Sequence, residues 1–119
     1  MEKLAYLRKE KEIFEIDYPI TKIWETLPKA LTSLEWTLEE IDEQAHHVKA
    51  RTKTSFLSYS STLMIDAVSV NKKTTKVTIT AETPVTTITS IADFGRTLHR
   101  IDLFFEELAK QLTIQKSTR

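Results

Sequence analysis

Cysteine is absent from this 119-residue sequence, and with it go disulfide frameworks, zinc–thiolate centres, iron–sulfur clusters and thiol catalysis. That absence leaves the redox compartment open, because an exported chain need carry none. Glycine occurs once, which excludes the phosphate-cradling loops that need several. Neither sign of charge is in excess: Lys+Arg 17 stand against Asp+Glu 17, a net charge of +0, so a uniformly basic nucleic-acid binder is not expected. No apolar run approaches the roughly 18 residues that cross a bilayer. The opening MEKLAYLRKEKEIFEID meets charge every few residues and has no apolar h-region, so it does not read as a signal peptide. A cytoplasmic protein of one domain, residues 1–119 with a polar tail at 114–119, is the expectation.

What is present is an order of elements. The even balance hides a gradient: Met1–Ala45 carries 11 acids and 6 bases, His46–Thr80 carries 6 bases and 1 acid, and Ala81–Arg119 carries 5 of each. Two segments have helical periodicity. Ile20, Ile23, Trp24, Leu27, Leu31 and Leu34 form one apolar stripe, with Thr21 as the expected N-cap and a kink or break expected at Pro28. Phe94, Leu98, Ile101, Phe105, Leu108 and Leu112 form a longer stripe widened by Phe104, with Asp93 as the expected N-cap. Between them the period switches to two. Trp36–Ile41 and Ala45–Lys53 read as a hairpin about a polar turn. Ser55–Val70 reads as a strand with a bulge near Met64–Asp66, and Thr75–Thr83 alternates cleanly. Val85–Ile91 could add a last edge strand behind Pro84, and Glu12–Tyr18 supplies one before the first helix. The order β-α-β-β-β-β-(β)-α predicts an α+β fold: an antiparallel sheet covered on one face by a long C-terminal and a shorter N-terminal helix.

The run IDYPITKIWETL, a strand leading into a helix that bears Trp24, and the closing helix DFGRTLHRIDLFFEEL from Asp93 to Leu108 give the chain a family likeness. It resembles the START/Bet v1-like (SRPBCC, helix-grip) superfamily and, more loosely, the half-domain of TATA-binding proteins. The ending D-x-G before a helix is also similar to that of small uncharacterised bacterial families. The resemblance covers nearly the whole chain as an order of elements. It implies an apolar ligand held between a curved sheet and the C-terminal helix. The chain is shorter than most members, so a modest ligand is implied rather than a lipid-sized one.

Several motifs are weighed against plainer readings. Asp93-Phe94-Gly95 spells the kinase metal triplet, but the other kinase signatures are missing, and a helix start explains it. His46 and His47 are adjacent on a strand and point to opposite faces, while His99 and Asp102 are i, i+3 on a helix; two ligands do not make a zinc site. Asp66, inside an apolar run of ambiguous phase, faces either inward, toward Arg96, Arg100 or His99, or outward to water. Lys49, Arg51 and Lys53 share a strand face, with Lys72, Lys73 and Lys76 as further bases. They form either a basic stripe or a solvated face balanced by acids. Ser58, Tyr59, Ser60 and Ser61 offer hydroxyls without a nucleophile elbow. Glu39, Glu40, Asp42 and Glu43 read as a solvated acidic turn.

The leading expectation is a non-enzymatic domain that binds a modest apolar or amphipathic ligand between sheet and C-terminal helix. Trp36, Tyr59, Ile65, Asp66, Val77, Ile79, Phe94, Leu98 and Phe105 are its candidate site residues. No catalytic residue, metal or cofactor is assigned. The second reading is a protein-interaction or homo-oligomerising module with a fully packed core, suggested by the extra apolar surface at Leu103 and Phe104. A third is an enzyme acting through Asp66 with His99 or Arg96. Large residues filling the space under the C-terminal helix would favour the second reading over the first.

Overall fold

The computed structural model describes residues 4–53, 60–86 and 95–117. Five strands and two long helices follow one another as β1 (Leu4–Ile16), α1 (Ile20–Leu34), β2 (Thr37–Asp42), β3 (His47–Arg51), β4 (Thr62–Asn71), β5 (Thr74–Thr86) and α2 (Arg96–Ser117). The strands form a single antiparallel sheet in the order β1-β5-β4-β3-β2. Strands β2 to β5 are thus a meander, and β1 returns to pair with β5.

Side chains alternate across the sheet, and the alternation separates a dry face from a wet one. Val48 and Ala50 of β3, Leu63, Ile65 and Ala67 of β4, and Val77, Ile79 and Ala81 of β5 are buried. They share one core with Ile23, Leu27, Ala30 and Leu31 of α1 and Ile101, Phe104, Leu108 and Leu112 of α2. Both helices therefore cover the same face, the architecture of an α+β domain. The opposite face carries His47, Lys49, Met64, Asp66, Thr78 and Thr80, none of them buried.

The elements differ from the sequence expectation in ways that have physical causes. Strand β1 begins at Leu4, well before Glu12. Its N-terminal half is an unalternating apolar run, Leu4–Leu7, followed by the consecutive charges Arg8–Glu12, so it shows no period-two signal. Helix α1 runs unbroken through Pro28, and its N-cap is Pro19 rather than Thr21. Pro19 lies in extended backbone, and its carbonyl accepts from the Lys22 and Ile23 amides at 3.0 and 3.1 Å. Pro28 still removes the N–H that would meet the Trp24 carbonyl, so the helix continues without that bond.

Strand β4 is regular through Met64–Asp66, and the register shift lies instead between Ser69 and Asn71. Strand β5 continues through Pro84 to Thr86, paired with β1, so Val85 extends β5 and starts no separate strand. Pro84 is tolerated because the β4 ladder ends at Thr62↔Glu82, leaving no bond on that side for proline to break. Residues 87–91 of the expected last strand, and Asp93 as the expected cap, lie outside the described residues. Gly95 has φ +78 and a Cβ there would meet nothing within 4 Å. It is needed for the left-handed turn into α2 and not for a close approach. Its carbonyl accepts from the His99 amide at 2.9 Å.

Candidate functional site

The inner line of α2 keeps Ile101, Phe104, Leu108 and Leu112 of the expected apolar stripe, but at its N-terminal end two polar residues join it. The buried positions are Thr97, Arg100, Ile101, Phe104, Leu108 and Leu112. Leu98 is exposed at 36%, and Phe105 lies at the flank, half-buried, its ring stacked on Phe14 of β1 at a centroid distance of 4.0 Å and an interplanar angle of 12°. Leu98 is thereby corrected from a lining residue to a surface one. The helix is rotated so that Phe104, the largest fully buried side chain, faces the sheet.

Two halves of the space between α2 and the sheet differ in chemistry. Under the middle and C-terminal part, Ile101, Phe104 and Leu108 meet a floor that includes Ile65, Val77 and Ile79, all with no accessible surface. This region is filled by the protein's own side chains.

Toward the N-terminus of α2 the interior turns polar. Thr52 and Ser61 clasp the base of the segment between β3 and β4. The Thr52 amide donates to the Ser61 carbonyl at 2.9 Å, and the Ser61 amide donates to Thr52 Oγ1 at 2.8 Å. Ser61 Oγ lies 2.5 Å from Thr83 Oγ1, and Thr83 Oγ1 lies 2.9 Å from Thr97 Oγ1. Arg100, only 8% exposed, donates from Nη1 to Ser61 Oγ. With Ser61 accepting from the guanidinium, its own hydroxyl can donate to Thr83 and that of Thr83 to Thr97, a chain of three hydroxyls that starts at the cation. Polar groups are placed inside a domain at a cost of about 1–3 kcal/mol each if left unbonded, and these are bonded to one another.

Sequence reasoning missed this cluster. The signal was present: Ser61 and Thr83 continue the buried phase of Leu63 and Ala81 by one alternation, and Thr97 and Arg100 lie four and one residues before Ile101 on the helix. Polar residues at buried-phase positions of three elements, all at one end of the sheet, are the mark of an interior polar site.

The other candidates are scattered. Trp36 is half-buried and packs against the edge of the core. Asp66 lies on the outer face, where its Oδ1 is 2.7 Å from His47 Nδ1. It cannot reach Arg100, which is inside, and the inward reading of Asp66 fails because β4 has no bulge there to change its phase. An enzyme built on Asp66 with a residue of the inner helix face loses its geometry with it. Tyr59 and Phe94, like Ser58, lie outside the described residues.

His46 sits in the turn at φ 52 with its ring edge-on to Trp24 at 5.0 Å. His99 and Asp102 are exposed, and among the described residues no group of three metal-ligand side chains forms. The strand bases are balanced by acids: Arg51 Nε donates to Glu39 at 2.7 Å, Lys53 reaches Glu35 at 3.0 Å, and Lys49 approaches Glu40 at 4.0 Å. Lys72 and Lys73 sit at the β4–β5 turn, at the other end of the strands from Arg51 and Lys53. The solvated, balanced face is therefore the correct reading of this segment. A shallow groove of about 390 Å³, lined by Pro28, Lys29, Thr32, Ser33 and Gln111, opens between the two helices and not between helix and sheet. Among the described residues no helix is long and apolar enough to cross a membrane.

No family model and no curated protein sequence matches the chain. Solved structures do. The chain is similar to the Zhui aromatase/cyclase from Streptomyces sp. R1128, with a TM-score of 0.69 and 12% identity over 96% of this chain and 97% of that one. It is similar to norcoclaurine synthase from Thalictrum flavum in complex with dopamine and hydroxybenzaldehyde, with a TM-score of 0.65 and 12% identity over 91% of this chain and 87% of that one. It is also similar to Ara h 8.0201, with a TM-score of 0.66 and 7% identity over 91% of this chain and 99% of that one. At such identities the likeness speaks for architecture alone. The chain has the helix-grip fold of the START/Bet v1-like superfamily.

Proposed function

We propose that the domain binds a modest amphipathic ligand between the sheet and α2, with the ligand's polar end at the Thr52–Ser61–Thr83–Thr97–Arg100 cluster. The carrying observation is that cluster: a hydroxyl chain held by a buried guanidinium, gathered at one end of the interior. Binding sites in small domains combine apolar walls with a few convergent polar groups that fix orientation. Similarity to a norcoclaurine synthase solved with dopamine and hydroxybenzaldehyde supports the ligand class, since both small molecules carry an aromatic body and polar ends. The filled region under Phe104 and Leu108 limits the ligand to the end of α2 that begins at Gly95. Ile65, Val77 and Ile79 then act as the packed floor and not as direct contacts.

A second reading is favoured by the same filling: a packed-core module that works by pairing with another chain.

Native mass spectrometry of the protein taken from cells tests the first reading, together with titration of the amphipathic dye 8-anilinonaphthalene-1-sulfonate. Ligand binding predicts a bound mass, and dye affinity that falls about tenfold or more in Arg100→Met and in Thr97→Val while far-UV circular dichroism is unchanged. A bare mass together with dye binding indifferent to both substitutions would overturn it.

A further inference from the structure

Strand β1 is the rim of the sheet: one side of its backbone pairs with β5 and, among the described residues, the other side pairs with no strand. It is 13 residues long, a length at which an open edge invites another strand. Its residues alternate between faces. Lys9, Lys11, Ile13 and Glu15 share the outer face with Thr78 and Thr80, whereas Glu10, Glu12, Phe14 and Ile16 share the inner face with Val77 and Ile79. Ile13 is 57% exposed, the most exposed large apolar side chain of the described residues. Lys9 already reaches Glu82 at 3.7 Å, whereas Lys11 and Glu15 hold no ion pair among the described residues.

We propose that β1 pairs antiparallel with β1 of a second copy of this chain, about a two-fold axis at Ile13, to make one continuous sheet. This deepens the second reading above and rests on it.

The register follows from charge. A two-fold axis perpendicular to the sheet keeps outer residues opposite outer residues. Centring the pair on Lys9, Glu10, Lys11 or Glu12 sets a charged residue against its own copy, which is destabilising. Centring on Phe14 leaves only Glu12–Ile16 of the two strands overlapping. Centring on Ile13 overlaps Glu10–Ile16 of the two strands and sets the exposed isoleucine against its own copy and Lys11 against the partner's Glu15. On the inner face Glu12 meets the partner's Phe14 and Glu10 meets the partner's Ile16, so no like charges are opposed. Charged residues on an edge ordinarily discourage indiscriminate pairing. Here their order discourages the neighbouring registers and favours this one.

Analytical ultracentrifugation of the full chain across the micromolar range tests the pairing. The contact is small for a specific interface, so the expected behaviour is a monomer–dimer equilibrium weakened by salt. Each ion pair occurs twice by symmetry, so Lys11→Glu alone and Glu15→Lys alone should each weaken dimerisation about tenfold or more. The double variant Lys11→Glu/Glu15→Lys, which exchanges the two charges, should restore it. A wild-type monomer at every concentration overturns this edge and the homo-oligomerising form of the second reading, while pairing with a different chain is a separate matter. A dimer indifferent to the single variants, or one that the double variant fails to restore, overturns the edge while the chain remains an oligomer.

Discussion

Glu35 closes α1 in the left-handed region, at φ 61, with its own amide bonded to the Thr32 carbonyl and the Trp36 amide bonded to the Leu31 carbonyl, each at 3.0 Å. This is the position at which helices ordinarily place glycine. A glutamate there carries strain that its exposed contact with Lys53 offsets only slightly, since exposed ion pairs contribute little. Glu35→Gly should therefore stabilise the protein by roughly 0.5–1 kcal/mol, read as a higher urea midpoint at unchanged slope. His46 shares the left-handed conformation, at φ 52, but its ring meets the edge of Trp24. His46→Gly should give no such gain, because relief of the backbone is offset by the lost ring contact. An equal rise in both variants would show that the aromatic contact contributes nothing. Neither position was legible in the sequence, because a left-handed turn without glycine or asparagine leaves no compositional mark.

Helix α1 shows how packing overrides a local breaker. The apolar stripe from Ile20 to Leu34 was readable as one face, and Ile23, Leu27 and Leu31 are buried along it. Proline argued for a kink or a break at Pro28, yet burial of the stripe's centre carries the helix unbroken past the missing bond at Trp24. Pro28→Ala should restore that bond and stabilise by about 1–2 kcal/mol, after allowing for the greater freedom of the unfolded chain. Chemical denaturation would measure it, and a loss of stability would mean that the ring's own contacts outweigh the bond. The strands were legible where one face is buried and the other wet, as in β3 and β5. The first part of β1 was not, because the run Leu4–Leu7 and the charges Arg8–Lys11 after it do not alternate apolar with polar. The face of α2 was legible from Ile101 to Leu112, whose apolar stripe is buried with Phe104, but not in its first turns. There periodicity chose Leu98, while the helix turns Thr97 and Arg100 inward to meet the hydroxyls of Ser61 and Thr83. Hydrophobic periodicity is blind to a polar interior.

Across the molecule the sheet is secured unevenly. Strands β4 and β5 are central and carry Leu63, Ile65, Val77 and Ile79 with no accessible surface. Strand β2 is an edge whose six residues are all exposed, including Leu38 at 42% and Ile41 at 46%. Amide hydrogen exchange should follow that division, with β2 exchanging through local opening long before Leu63–Ala67, which should open only with global unfolding. Equal protection in β2 and β4 would show that the edge is held by something other than its ladder. The element order and the one-sided sheet were readable from periodicity. The closing pair β1–β5 was not, since contacts so distant in the chain leave no local trace. One aromatic contact bears on how the parts communicate. The Phe14 and Phe105 rings rivet the rim strand to the long helix face to face. Any guest that lifts the helix must tug on the strand, and any sister strand that straightens the rim must press on the helix. If the two proposals above both hold, occupancy of the interior and association of two chains would be linked, each changing the other's equilibrium constant by the same factor.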